Sequence, residues 1–239
     1  MSIFVAVLSA IIAVTSIVWQ AISESRRQQR EQAFLTQQKE ADRRAEAEQL
    51  VRRYREPIIF AADQLVNRVE NVRAKGFLEK YGVDRREYVV NSTVYAVAEL
   101  LGWMELLRQD QQFLDLGEEG ATRRMNECLA AIGRSLSTDT IIDADGRPAL
   151  VMIWRQEQRA IGEVMIERAT GQGARCLGYA SFNQRLGDPL FAQWFDRLVD
   201  DVEHIIDEPA RGLPRLVEVS AAACALIDHL DPDHVRVQR

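Results

Sequence analysis

The first 23 residues of the chain contain no charged side chain, whereas the residues directly after them are almost all charged or amide-bearing. Between Ile3 and Ile22 lie about 20 residues, which as a helix span roughly 30 Å, the thickness of a bilayer's hydrocarbon core. No Gly or Pro interrupts this segment, and Trp19 lies near its end, where an indole favours the membrane interface. The sequence therefore predicts a transmembrane anchor over residues 1–23 that contacts lipid through residues 3–22.

Two other interpretations of this segment stay open. A cleaved signal peptide could end at Ala21-Ile22-Ser23, but signal peptides usually begin with basic residues, and none precedes Arg26. A buried core helix is the second alternative, although the long solvated run that follows would leave it little to pack against. We retain the anchor as the prediction and an exported, processed chain as its rival.

The charges around the anchor predict its orientation. A basic cluster follows the segment at Arg26, Arg27 and Arg30, and no charged side chain precedes it. Because basic residues mark the cytoplasmic side, we expect a single-pass protein of the bacterial inner (cytoplasmic) membrane. Its amino terminus would lie outside and its carboxy-terminal domain in the cytoplasm. The three cysteines are far apart in sequence, which agrees with a reducing compartment.

Residues 24–56 are predicted to form a charged helical stalk. They contain no Gly or Pro and consist mostly of Arg, Gln, Glu and Ala, which are good helix formers. Pairs such as Glu40 with Arg44 place the acid four residues before the base, the favourable order. The apolar positions do not keep a heptad, so the pattern favours a solvated helix, bundled with copies of itself, over a strong coiled coil. We therefore expect a homo-oligomer.

Residues 57–239 read as an acidic, mainly α domain built as a helical bundle, with Pro57 as its approximate boundary. Apolar residues recur at three- and four-residue steps over most of this region. The chain's net charge is −6 although the stalk holds nine Lys/Arg against seven Asp/Glu, so the domain is the acidic part. An acidic domain is poorly suited to phosphate backbones, and we expect no nucleic-acid partner.

Several local signals refine this helical pattern. Asp145-Gly146 predicts the turn of a short β-hairpin, after which residues 154–168 return to helical spacing. Asp188-Pro189 is typical of a helix start. The buried face behind it is predicted to contain five apolar residues: Leu190, Trp194, Leu198, Val202 and Ile205. A last helix is predicted from about Leu213 to Leu230, before Pro232.

The segment from Arg155 to Glu163 holds the candidate ligand-binding residues, which are Arg155, Glu157, Arg159 and Glu163. Arg155 and Arg159 are one helical turn apart, as are Arg159 and Glu163, and Gly162 permits close approach to another backbone. Such a surface could line a cleft and grip an anionic ligand. The favoured interpretation is structural, a ladder of ion pairs between or along helices.

Other candidate sites favour structural interpretations. The cluster of His229, Asp231, Asp233 and His234 resembles a metal-binding set, but Pro232 breaks the helical face, so no metal site is predicted. The glycines around 171–173 lack the Gly-Lys-Ser/Thr of a nucleotide loop and predict a connection between helices. We expect no cofactor, and the chain shows no catalytic constellation, which leans against an enzyme.

Three stretches carry a resemblance to known sequences: residues 54–65 (YREPIIFAADQL), 157–163 (EQRAIGE) and 178–182 (GYASF). They resemble segments of uncharacterised bacterial membrane-anchored helical proteins, many of them actinobacterial, with YRxPL-x-AA-x-DLQ-like and EQRAIGE-like motifs. The resemblance implies a shared helical domain over roughly residues 50–231 and no particular activity. This chain departs from the pattern at Ile58-Ile59 and after Leu65.

Taken together, these features predict a membrane-anchored scaffold or interaction protein that self-associates or recruits a protein partner. The anchor, the long spacer and the absence of a catalytic motif support it. The alternative is a membrane-tethered enzyme or ligand-binding protein whose cleft lies near residues 155–163.

Overall fold

The computed structural model describes residues 2–114, 120–168 and 173–237. Its contacts divide the chain into two compact units, Met1–Glu46 and Ala47–Arg239. The described residues are mainly helical, as the sequence predicts.

Helix α1 covers Ser2–Ala74 and contains Pro57 without ending there. Every described side chain between residues 24 and 46 is exposed, so this part of the helix has no core of its own. Burial begins at Ala47 and returns at Leu50, Tyr54 and Ile58, the helical spacing expected of one core-facing side.

The anchor prediction concerns side chains that are mostly not described, since the structure describes the backbone of residues 2–23 but only the side chains of Trp19 and Gln20. Among the described residues, no helix is long and apolar enough to cross a bilayer. The anchor stays a prediction.

The second unit packs its remaining helices around α3. These are α2 (Phe77–Tyr81), α3 (Arg86–Leu114), α4 (Gly120–Ser137), α5 (Arg155–Val164), α6 (Tyr179–Arg185), α7 (Pro189–Ala192), α8 (Asp196–Asp207) and α9 (Leu213–Leu230), with a 3₁₀ turn at Pro209–Arg211. Helix α3 contacts α5, α6 and α8, while α4 packs along α9. Helix α3 is therefore central, and α9 has the predicted bounds.

A two-stranded sheet follows α5, where the sequence predicts helix up to residue 168. Strand β1 (Ile166–Arg168) pairs antiparallel with β2 (Ala174–Cys176), and Ile166 lies opposite Cys176. The helical prediction is wrong here because β2, which is distant in sequence, supplies partners for the backbone of β1. The predicted hairpin at Asp145-Gly146 has its turn, but it forms only an isolated bridge between Ile142 and Pro148.

The predicted long helix after Asp188 is also wrong in part. The Asp188 side chain accepts a hydrogen bond from the Leu190 amide, which confirms the helix start. Helix α7 then ends at Ala192, and the chain turns before α8. The shift in register exposes Leu190 and Trp194, while Phe191 and Phe195 enter the core instead. Leu198, Val202 and Ile205 are buried as predicted.

A buried arginine ties the end of α4 to the segment that leads into α5. Arg215 is fully buried and donates through Nη1 to the carbonyl of Ser135 at 2.7 Å. Its Nε lies 3.1 Å from the carbonyl of Ala149 and 3.2 Å from that of Leu150. Burial lowers the pKa of Arg215 from its usual value. These bonds satisfy carbonyls at the carboxy-terminal end of α4 and position the start of α5.

Val151, in that leading segment, has a left-handed backbone with φ of 65°. Such a conformation is strained for a β-branched residue. The buried side chain of Val151 and a 2.8 Å hydrogen bond from its amide to Asp201 Oδ2 hold it in place. The strain is therefore compensated by packing and by α8.

Candidate functional site

A cavity of about 350 Å³ lies where α3, α4 and α5 meet. Helix α3 lines it with Leu101, Met104, Glu105, Leu107, Arg108 and Gln111, α4 with Asn126, Leu129, Ala130 and Gly133, and α5 with Arg155, Gln158 and Arg159. Most of the residues that α3 and α4 contribute to the lining are apolar. The two charged residues that α5 contributes are both arginines. Its volume is at the lower end of small-molecule pockets, which hold about 300–1,000 Å³.

The helices α3 and α5 approach closely at Gly162. A Cβ atom at this position would lie 2.7 Å from Glu105 Cβ and 2.8 Å from the Leu101 carbonyl oxygen. Only glycine fits without displacing a helix, as the predicted close approach at this residue requires. This contact sets the distance between the two helices and therefore the width of the cavity beside it.

Glu105 and Arg108 form a partly buried ion pair in the cavity wall. Arg108 donates through two nitrogens to both carboxylate oxygens, with Nε 2.6 Å from Oε2. Gln109 donates to Oε1 at 2.9 Å. Burial of Glu105 opposes ionisation, but these hydrogen bonds and the charges of Arg108 and Arg159 outweigh it and hold its pKa below the usual range. Glu105 is therefore ionised near neutral pH and neutralises Arg108.

Arg155 and Arg159 line the same cavity from the exposed side of α5. Within the described ranges, neither guanidinium has a carboxylate within 4.0 Å. Among the described residues, the lining thus contains three guanidinium groups and one carboxylate, and two of the guanidinium groups have no carboxylate within 4.0 Å. This excess of positive charge beside an apolar wall can attract an anion.

Neutral amides add directional hydrogen-bonding groups. Gln158 is buried and donates through Nε2 to the Gly133 carbonyl at 2.9 Å and to the Ile153 carbonyl at 2.8 Å. Across the cavity, Gln111 donates to Asn126 Oδ1 at 2.8 Å. These bonds join α5 to α4 and α4 to α3, so the lining is held in place without a ligand.

The four residues predicted from the sequence do not form one surface. Arg155 and Arg159 line the cavity, whereas Glu157 lines a smaller cavity of about 170 Å³ beside α8. Glu157 accepts a 2.7 Å hydrogen bond from the Trp154 amide at the start of α5 and lies 3.8 Å from Arg197. Glu163 is exposed and lines neither cavity. The predicted Arg159–Glu163 ion pair is not formed within 4.0 Å, so only the two arginines belong to the site.

Sequence reasoning missed the part of the site that comes from α3 and α4. Glu105 and Arg108 are three residues apart on a helix that is otherwise largely apolar, and this was the available signal. A charged pair at that spacing in the middle of a core helix suggests a polar pocket. Asn126 and Gln111 carried no comparable signal, because amides of this kind are common on exposed helix faces.

The residues that resembled a metal-binding set instead make contacts with one another and with the residues around them, between 228 and 237. Asp231 is buried and accepts hydrogen bonds from the amides of Arg236 and Val237 at 2.8 Å and 3.3 Å. His234 lies 3.9 Å from Asp228. No group of three or more His, Cys, Asp or Glu side chains in the described part of the chain is arranged to hold a metal ion. The Gly171 and Gln172 positions of the glycine-rich segment lie outside the described residues.

Comparison with known proteins identifies no relative: no family model, no curated protein and no solved structure matches the chain.

Proposed function

We propose that this chain is a membrane-anchored ligand-binding protein whose second unit, Ala47–Arg239, binds a small anionic molecule in the cavity between α3, α4 and α5. One observation carries this proposal. Arg155 and Arg159 border an apolar cavity without a carboxylate partner among the described residues, while the third guanidinium, that of Arg108, is already paired. Unpaired arginines beside an apolar wall are suited to binding an anion.

The chemistry of the lining favours binding over catalysis. General acid–base catalysis needs a group whose pKa lies near the working pH. The one carboxylate of the lining, Glu105, has a lowered pKa and is held by Arg108. The lining residues taken from the described ranges include no Ser, Cys, Lys or His to act as a nucleophile or base. Arginine and amide groups orient a ligand without reacting with it.

The anchor and orientation belong to the same proposal. Residues 3–22 would cross the bacterial inner membrane with the amino terminus outside, and the basic residues after them would keep the ligand-binding unit in the cytoplasm. The uncharged first 23 residues and the basic cluster at Arg26, Arg27 and Arg30 support this arrangement. Cysteine accessibility to a membrane-impermeant maleimide in intact cells tests it. A Ser2→Cys variant should react from outside. An Arg147→Cys variant, at an exposed position of the second unit, should react only after lysis.

A scaffolding role is a second candidate, and two exposed residues of the first unit favour it. Phe34 is 64 % exposed and Leu35 is 51 % exposed, in the part of α1 where every described side chain between residues 24 and 46 is exposed. Contact with a second copy would cover these side chains. Chemical crosslinking in native membranes tests this candidate. Self-crosslinking should fall in a Phe34→Gln/Leu35→Gln variant and persist in a Thr36→Gln control.

The ligand-binding proposal is tested on the full chain in detergent by isothermal titration calorimetry. Two unlike anions, pyrophosphate and 4-phenylbutyrate, serve as probes. At least one should bind, and Arg155→Gln and Arg159→Gln should each weaken it about tenfold, or about 1.4 kcal/mol. Arg147→Gln, an exposed arginine outside the cavity, is the matched control and should bind like the parent chain. Equal binding by all three variants would reject the proposal.

A further inference from the structure

We infer that the ligand is an amphipathic monocarboxylate, whose carboxylate binds Arg155 and Arg159 and whose apolar body lies against α3 and α4. This inference rests on the proposed function and adds the chemical class and orientation of the ligand. Phosphate-rich ligands such as nucleotides are the class that it excludes.

The first argument is the division of the lining between helices. The unpaired cations both come from α5, while the apolar side chains come from the opposite walls: Leu101, Met104 and Leu107 from α3, and Leu129 and Ala130 from α4. A ligand that fills the cavity must therefore be charged at one end and apolar at the other. A polyphosphate would place charged oxygens against the apolar walls and lose their hydration without compensation.

The second argument is the buried carboxylate. Glu105 is 3 % exposed, ionised and part of the lining. It already takes the charge of Arg108, so that guanidinium is not available to a second anionic group. A ligand with two separated negative charges would leave at least one of them without a free guanidinium of its own beside the ionised Glu105, whereas Arg155 and Arg159 can share one carboxylate.

The third argument is geometric. A guanidinium group presents its N–H donors as a planar fork that matches the two oxygens of a carboxylate. Arg155 and Arg159 are one turn apart on the same exposed side of α5, so one carboxylate can reach both. The cavity volume of about 350 Å³ suits a compact aryl or short alkyl body attached to such a head group.

The experiment compares three probes on the full chain in detergent by calorimetry, with a detergent blank for each. These are 4-phenylbutyrate, its neutral analogue 4-phenyl-1-butanol, and pyrophosphate. We expect 4-phenylbutyrate to bind at least tenfold more tightly than the alcohol, which lacks the carboxylate, and than pyrophosphate, which lacks the apolar body. Arg159→Gln should reduce the affinity for 4-phenylbutyrate to that of the alcohol.

A variant of the apolar wall tests the orientation separately. Met104→Gln should weaken 4-phenylbutyrate about fivefold, because a polar amide replaces an apolar contact that is already half-buried. The matched control is Met152→Gln, a half-buried methionine that lines the smaller cavity, and it should bind like the parent chain. Melting curves by circular dichroism confirm that each variant is folded.

The outcomes separate this inference from the proposed function. Tight, Arg159-dependent binding of pyrophosphate with weak 4-phenylbutyrate binding would overturn the ligand class and leave the anion-binding function standing. Equal affinities for 4-phenylbutyrate and the alcohol would overturn the role of the carboxylate. If no anion's binding depended on Arg155 or Arg159, both the inference and the proposed function would be wrong.

Discussion

Glu99 and Glu105 occupy the same helix, fewer than two turns apart, yet their carboxyl groups are held in opposite ways. Burial raises the pKa of Glu99, and its Oε2 is buried without a hydrogen-bond partner among the described residues. Glu105 is also buried, at 3 % exposure, but Arg108 and Gln109 hold its pKa below the usual range. Burial alone therefore does not decide the direction in which the pKa of a carboxyl group shifts; its hydrogen-bond donors do.

The difference between Glu99 and Glu105 matches their surroundings. Near Glu99, the Tyr95 hydroxyl lies 3.1 Å from Oε1 and donates to the Leu177 carbonyl at 3.0 Å, which ties α3 to the end of β2. The surroundings of Glu99 are packed core. Near Glu105 the ion pair faces the cavity. One helix thus packs into the core at Glu99 and borders the cavity at Glu105.

The largest expected effect comes from removing the cation beside Glu105. Arg108→Met leaves an ionised carboxylate buried without its partner and should lower the free energy of unfolding by about 3 kcal/mol. Urea denaturation followed by circular dichroism measures it. The double variant Glu105→Gln/Arg108→Met should regain most of this loss, because no unpaired charge remains. A double variant as unstable as the single one would mean that the ion pair is not the cause.

The next largest effect compares two glycines at close contacts of α3, one on α5 and one on α3 itself. Gly162→Ala brings Cβ within 2.8 Å of the Leu101 carbonyl oxygen, which is backbone, and should cost about 2 kcal/mol. Gly102→Ala meets Cys176 Sγ at 2.6 Å, a side-chain atom that can rotate away, and Met165 Cβ at 3.0 Å, which is tight but farther than the Leu101 oxygen is from Gly162. We therefore expect a smaller loss of about 1 kcal/mol in Gly102→Ala. Thermal melts of both variants provide the comparison, and the reverse order would contradict it.

A smaller effect, of about 1 kcal/mol, appears as opposite pH dependences of the two carboxyl groups. Because the folded pKa of Glu99 is raised, its contribution is fully present below the unfolded pKa, near 4.3, and is lost as the pH rises through the folded value. The stability of the parent chain relative to Glu99→Gln should therefore increase as the pH falls from 7 to 4.

For Glu105 the folded pKa is lowered, so its contribution is present above the unfolded pKa and is lost as the pH falls through the folded value. The parent chain should therefore lose its advantage over Glu105→Gln as the pH falls below about 5. Urea unfolding at a series of pH values measures both differences. If both stability differences changed in the same direction as the pH fell, Glu99 and Glu105 would not differ in the way proposed.

The smallest effect concerns reactivity, with no loss of stability. Burial and the nearby charge of Glu99 raise the pKa of the Cys176 thiol to about 12, so almost no thiolate exists at pH 8. Cys176 should therefore be alkylated by iodoacetamide more slowly than Cys128, as measured by mass spectrometry of peptides over time. A Glu99→Gln variant should accelerate the reaction of Cys176, and an unchanged rate would argue against the contact.

The sequence predicts the helices well where the pattern is local. Apolar residues at three- and four-residue steps identify the buried side of α1 from Ala47 onward, and Asp188 and the bounds of α9 follow from capping and proline rules. The failures involve partners distant in sequence. Ile166–Arg168 forms a strand because β2 pairs with it, and Leu190 is exposed because the chain turns between α7 and α8.

For the candidate site, the residue types near 155–163 allowed an anion-binding surface beside the favoured ion-pair ladder, and two of the four candidates, Arg155 and Arg159, line the cavity. The division of the four candidates, with Arg155 and Arg159 at one cavity and Glu157 at another, depends on which neighbours each side of α5 meets. At Gly162, α5 meets α3, and at Glu157 it meets Arg197 of α8. No local sequence pattern specifies either neighbour.

By itself, the sequence determined that the described chain is mainly helical, that its first residues carry no charge, and that Arg155 and Arg159 lie one helical turn apart. Periodicity, capping and charge act between residues a few positions apart, so they can be read along the chain. The tertiary structure decided the cavity, the burial of Glu105 and the surroundings of Glu99. Those properties come from faces of helices that meet across long sequence separations, where packing and desolvation, not local pattern, set the outcome.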